Sequence, residues 1–115
     1  MKIAALFLVL ALAIPTVAGS KVLVVCGGDN QTGHAGSQLP VRLCVMALDS
    51  GKPVPGVSVS FTDNGAGGSF SVPVAITDSK GKASTSYTLP GRAATVFIEA
   101  VAAGYAPARF RETAK

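Results

Sequence analysis

Lys52-Pro53-Val54-Pro55-Gly56-Val57-Ser58-Val59-Ser60-Phe61 reads as a stiffened turn running directly into a strand. The prolines restrict the backbone of the turn, and the glycine reaches conformations closed to other residues. The alternation that follows has a period of two. It sets Val57, Val59 and Phe61 on one face and Ser58, Ser60 and Thr62 on the other. The same grammar returns at Asp78-Ser79-Lys80-Gly81, followed by Ala83, Thr85, Tyr87 and Leu89 at alternate positions. Units of this kind specify antiparallel strands with one face on a core and the other in water.

Reading outward from these two units fills in the rest of the domain. Lys21 to Cys26 is a first strand, and Gly27 to Gln38 is a loop rich in residues that turn the chain. Val41 to Leu48 is a strand with Leu43, Val45 and Ala47 on one face. Asp63 to Gly68 is a loop tip. Ser69 to Thr77 is a weaker strand whose Pro73 marks an edge or a bulge. Thr95 to Val101 is a strong strand with Val96, Ile98 and Ala100 inward, and Pro107 to Thr113 is the last, with Phe110 inward. About seven strands at roughly 8–12-residue spacing, with no helical periodicity, predict an Ig-like antiparallel β-sandwich. Its expected core holds Val45, Val57, Val59, Phe61, Val96, Ile98 and Phe110. The antibody variety is excluded, because the chain has no Trp and neither cysteine lies on the Val96–Ala100 strand.

The first residues have a different logic. Met1-Lys2 is a short positive segment, Ile3 to Ile14 is unbroken apolar sequence, and Pro15 is followed by Thr16-Val17-Ala18-Gly19-Ser20. This is the layout of a secretory signal peptide cut after Ala18 or Gly19. The apolar run falls short of the roughly 20 residues needed to span a bilayer. The expected organisation is a signal peptide over 1–18 and one domain over 19–115, with no membrane span once the signal is gone. A domain of this size buries only about two-thirds of its unfolded surface.

Export places Cys26 and Cys44 in an oxidising compartment, where a disulfide is the default. On neighbouring antiparallel strands the two would meet across the ladder. Free buried thiols and a lipidated Cys26 are the alternatives. The bulky Val25 just before Cys26 and its distance from the apolar run speak against lipidation. The formal charge is +4, falling to +3 without Lys2, and the basic residues are scattered. Binding a phosphate backbone needs clustered charge, so nucleic acid is not an expected partner.

In order, Gly28-Asp29-Asn30-Gln31-Thr32-Gly33, Leu39-Pro40, Asp49 to Phe61, Gly67-Gly68-Ser69-Phe70 and Thr77 to Thr85 resemble the bacterial Ig-like domain of the invasin/intimin type. The resemblance covers nearly all of residues 19–115. It implies an extracellular spacer or adhesion module without catalysis. The cysteine pair departs from the family, whose residues there are usually small or apolar, so the bridge would be a local stabiliser.

Chemistry-bearing residues are sparse. His34 is the only histidine, and no nucleophile elbow accompanies it. Asp29, Asn30, Asp63, Asn64 and Asp78 are the oxygen donors available to calcium. They sit on separate loops without an EF-hand spacing and suit turn chemistry. Asn30-Gln31-Thr32 fits a glycosylation sequon but, given the bacterial resemblance, reads as part of the loop motif. No cofactor or metal is expected. The candidate binding loops contribute Asp29, Asn30, Gln31, His34, Asp63 and Asn64, with Tyr105 as the better exposed ring; Phe70 and Tyr87 are expected to pack. The expected function is a secreted, periplasmic or cell-surface module for adhesion, protein binding or structural support. A glycan- or small-molecule-binding module and an accessory or inhibitor subunit of a secreted enzyme are the alternatives.

Overall fold

The computed structural model describes residues 20–115. The expected signal peptide, residues 1–18, lies outside the described residues. Among the described residues the chain is all β. Its strands are β1 (Lys21–Gly27), β2 (Thr32–Gly33), β3 (Leu43–Asp49), β4 (Lys52–Pro53), β5 (Ser58–Thr62), β6 (Ser69–Phe70), β7 (Val74–Ile76), β8 (Lys82–Thr85), β9 (Tyr87–Thr88), β10 (Ala94–Val101) and β11 (Ala108–Ala114).

One sheet has the order β2-β11-β10-β5-β7. The other is built on β3, which pairs with β1, with the short β4 and with β8. A third ribbon, β6 with β9, sits apart from both. Leu23, Leu43, Val45, Ala47 and Ala83 face inward from the β3 sheet, and Val59, Phe61, Val96, Ile98, Ala100 and Phe110 from the other. This is the two-layer solution that period-two strands demand: each sheet has one apolar face and must cover it with another.

The turn at Lys52–Val57 is held by one buried side chain. Thr77 Oγ1 donates to Val54 O (2.7 Å) and accepts from Val57 N–H (2.8 Å). Val57 N–H is thereby taken by a side chain, and Val57 O accepts from Thr77 N–H (2.9 Å). Val57 therefore precedes β5 and is half-buried against the core's rim, where the alternation alone put it inside.

The strands are more broken than the sequence pattern suggests. Ser69 to Thr77 is two strands on different sheets, with Pro73 between them: β6 joins β9, and β7 joins β5. Lys82 to Thr88 divides likewise at Ser86, between β8 and β9. The loop after β1 contains β2, which runs parallel to β11, and Val22 bridges Ala106 in the same sense. The Val22–Ala106 bridge links β1 to the segment leading into β11, and both parallel contacts depart from a purely antiparallel design.

Candidate functional site

The expected bridge is present between Cys26 and Cys44, with Cα atoms 5.0 Å apart. The β1–β3 register advances from Val25 opposite Val45 to Gly27 opposite Cys44, so Cys26 is the extra residue of a bulge. Cys44 lies on the outward phase of β3, between the buried Leu43 and Val45. The disulfide therefore crosses the outer surface of one sheet and not the space between the two.

Most of the loop side chains singled out by sequence make hydrogen bonds that hold the architecture. Asp29 Oδ1 accepts from the N–H of Asn30 and of Arg111, both at 2.9 Å. Asn30 takes a positive φ of 59°. The Gln31 side chain bridges two segments: Nε2 donates to Gly28 O and Val41 O, and Oε1 accepts from Val41 N–H. Asp63 Oδ2 accepts from the Tyr87 hydroxyl (2.8 Å) and from Gly68 N–H (2.9 Å). Gly68 is required there, because a Cβ would strike the Tyr87 hydroxyl and the Thr88 carbonyl. Burial and the Asp63 carboxylate both raise the Tyr87 pKa, keeping the phenol neutral. Asp78 Oδ1 accepts from the N–H of Lys80 and Lys82, which lowers its pKa. His34 is exposed. Tyr105 is half-buried against the core, with Lys21 Nζ 5.9 Å from its ring centroid, where sequence made it the exposed ring. Its neighbour Ala106 pairs with the start of β1, away from the Asp29 and Asp63 loops.

Those two loops do converge. Asn64 Nδ2 donates to the carbonyl of Phe97 (2.9 Å), and Asp29 accepts from the amide of Arg111. Phe97 and Arg111 are cross-strand partners on β10 and β11. Both side chains lie on the outer face of the five-stranded sheet, and Phe97 is 59% exposed. The next outward row is Arg109, Glu99 and Thr62, in which Arg109 and Glu99 form an ion pair at 3.1 Å. An aromatic ring flanked by arginines, on a rigid strand and fenced by two pinned loops, is suited to protein contact. Burying a side chain of this size is worth about 1.5–3 kcal/mol, and aromatic and Arg residues dominate interface energetics.

Sequence reasoning missed Phe97. The signal was the phase of its strand: with Val96, Ile98 and Ala100 inward, Phe97 must point out. Glu112 was missed for the complementary reason, since it shares the inward phase of Phe110. It is fully buried; Oε1 accepts from Gln31 N–H (2.7 Å), and Oε2 has no partner among the described residues. Burial is the main cause that pushes its pKa up to about 7, with Asp29 nearby adding to it and the Gln31 bond opposing it.

A carboxyl whose folded pKa is raised stays protonated in the fold while the unfolded chain has already ionised. Stability is therefore expected to fall as pH rises from about 4.5 to about 7, and to level off above that. The contribution to the slope is at most about 1.4 kcal/mol per pH unit. Urea midpoints across this range will show that decline, and Glu112→Gln will flatten it. An identical pH profile in the variant would refute the assignment.

Among the described residues no group of three or more His, Cys, Asp or Glu side chains converges, and no helix is long and apolar enough to cross a membrane.

No protein-family model matches the sequence, and no curated protein matches it significantly. Solved structures do. The Yersinia pseudotuberculosis adhesin InvE aligns with 84% of this chain at a TM-score of 0.67 and 15% identity. The D0-D1 domain of intimin aligns with 83% at 0.60 and 17% identity. FdeC, described as an Escherichia coli adhesin, aligns with 84% at 0.58 and 16% identity. The chain spans 32%, 49% and 31% of those three structures, respectively. The likeness establishes the fold, an Ig-like β-domain.

Proposed function

From that likeness we propose that this chain is an exported, non-enzymatic Ig-like module making adhesion-type, protein-binding or supporting contacts outside the cytoplasm, whether secreted, periplasmic or at the cell surface. The observation that carries the reading is the match of most of the chain to Ig-like portions of proteins described as adhesins. The Cys26–Cys44 bridge suits an oxidising compartment. The contact surface is the outer face around Phe97, Arg111, Arg109 and Glu99. Its partner is a protein or cell-surface component.

Site-specific photo-crosslinking tests this reading. A benzophenone side chain at Phe97 will yield adducts in the envelope or secreted fraction, and the same probe at Ser79, exposed on the turn before β8, will not. Equal labelling from both positions, or none from Phe97, would count against the surface. The exposed Phe97 ring also gives the glycan-binding alternative a stacking platform. Adducts destroyed by periodate but resistant to protease would favour that alternative, and a secreted enzyme in the adduct would favour the accessory-subunit reading.

A further inference from the structure

We propose that the Cys26–Cys44 bridge is a directional site of thiol–disulfide exchange in the folded protein, at which a low-molecular-weight thiol attacks Cys26 and Cys44 leaves. The site lies on the outer face of the β3 sheet, apart from the Phe97 surface, and does not rest on the functional reading. In the step, the sulfur of the incoming thiolate bonds to Cys26 Sγ. The bond between the two cysteines breaks, and its electron pair stays on Cys44 Sγ. The product is a mixed disulfide on Cys26 and a thiolate at Cys44 that equilibrates with its protonated thiol. A second thiolate then attacks the mixed disulfide, leaving Cys26 reduced and the small thiol oxidised to its own disulfide.

Which sulfur is attacked depends on access and on the leaving thiol. Both favour Cys26. It is the extra residue of the β1 bulge, has no partner in the ladder and is exposed on the end strand of its sheet. Cys44 is half-buried on β3, with Gly27 opposite it on β1 and Ser84 opposite it on β8. A nucleophile in line with the S–S bond meets an exposed residue at Cys26, but would reach Cys44 only across β8. The leaving side is also the better charged. Lys82 is exposed on the same outward phase of β8 as Ser84, opposite Met46 and diagonal to Cys44. A neighbouring cation favours a thiolate, and a thiol of lower pKa leaves faster.

The fold survives the step. The bridge lies outside the core, and the β1–β3 ladder from Lys21–Asp49 to Val25–Val45 is independent of it. What exchange releases is the covalent tie across the loop between β1 and β3. That loop keeps the Asn30–Arg111 backbone bond and the Gln31 side-chain bonds to Gly28 and Val41. Exchange is therefore open to the native state and needs no prior unfolding.

Timed exposure of the oxidised, full chain to 2-mercaptoethanol tests the proposal, with acid quenching, alkylation of free thiols and peptide mass spectrometry. In native buffer the rate of bridge loss will rise in proportion to thiol. The mixed disulfide will be found on Cys26 and the alkyl group on Cys44. At low ionic strength Lys82→Gln will slow exchange about twofold, the worth of one exposed charge at a diagonal spacing of about 7–8 Å. Lys80→Gln, at an exposed position on the turn before β8, will exchange like wild type, and both variants will keep the wild-type thermal midpoint. A mixed disulfide found mainly on Cys44 would overturn the proposal. So would a rate that does not rise with thiol, because unfolding would then be the gate. A Lys82→Gln rate equal to that of wild type would overturn the role given to Lys82.

Discussion

Truncating Phe61 to alanine will destabilise the domain by about 3–5 kcal/mol. Phe61 is buried on the inward face of β5, and its ring lies 5.9 Å from that of Phe70. Phe70 in turn lies 4.8 Å from Tyr87, whose hydroxyl is fixed by Asp63. The ring chain thus begins in the main core and ends at the polar anchor of the Asp63–Gly68 loop. Phe70 and Tyr87 belong to the two-residue β6–β9 ribbon, and the Asp63 bonds limit how far that ribbon can move into a cavity. Poor collapse keeps the cost of a large-to-small change near the top of its range. A domain of this size loses about 4–8 °C of thermal midpoint per kcal/mol, so the effect will be plain in a melt. Phe61→Leu will recover part of the loss by refilling volume. A midpoint for Phe61→Ala within about 1 kcal/mol of wild type would show that the ring carries little of the core.

Local pattern made much of this fold readable, and the limits of that reading have physical causes. Alternation along Ser58–Phe61 and Val96–Ala100 identifies a buried face because the pleat has a period of two wherever the strand is regular. It fails at Val57, where the Thr77 hydroxyl replaces a ladder partner. It also fails to show that Ser69–Thr77 changes sheets, since a strand looks the same locally whichever sheet it joins. Only long-range partners, Tyr87 for Phe70 and Val59 for Ala75, decide that. The Asp and Asn residues of the loops were legible as turn formers. Their targets, the Arg111 amide, the Tyr87 hydroxyl and the Phe97 carbonyl, were not, because they lie 82, 24 and 33 residues away from Asp29, Asp63 and Asn64. Phe97 and Glu112 were legible by phase. Residue type misleads at both, since an aromatic suggests a core and a carboxylate suggests water.

Breaking the Cys26–Cys44 bridge, by reduction or by replacing both cysteines with alanine, will cost about 3 kcal/mol. The two residues are 18 apart in sequence, and the chain-entropy model assigns a loop of that length this much restriction of the unfolded chain. The native fold contributes little to the loss. The bridge lies on the outer face of the β3 sheet, so its removal opens no cavity among Leu43, Val45 and Ala47. The remaining β1–β3 ladder, from Lys21–Asp49 to Val25–Val45, keeps its pairing without it. Circular dichroism of the bridge-free protein will therefore match that of the oxidised form while the denaturation midpoint falls. A loss confined to the native state would look different: altered spectra, or local opening of β1 in hydrogen exchange with little change in the global midpoint. On the proposed reading as an exported module, export and this bridge are linked, because an oxidising compartment lets a small domain use a covalent tie in addition to its core. Equal midpoints for the oxidised and bridge-free forms would sink the entropic account. Alkylation of both thiols in the undenatured, exported protein would show that the bridge does not form in the cell.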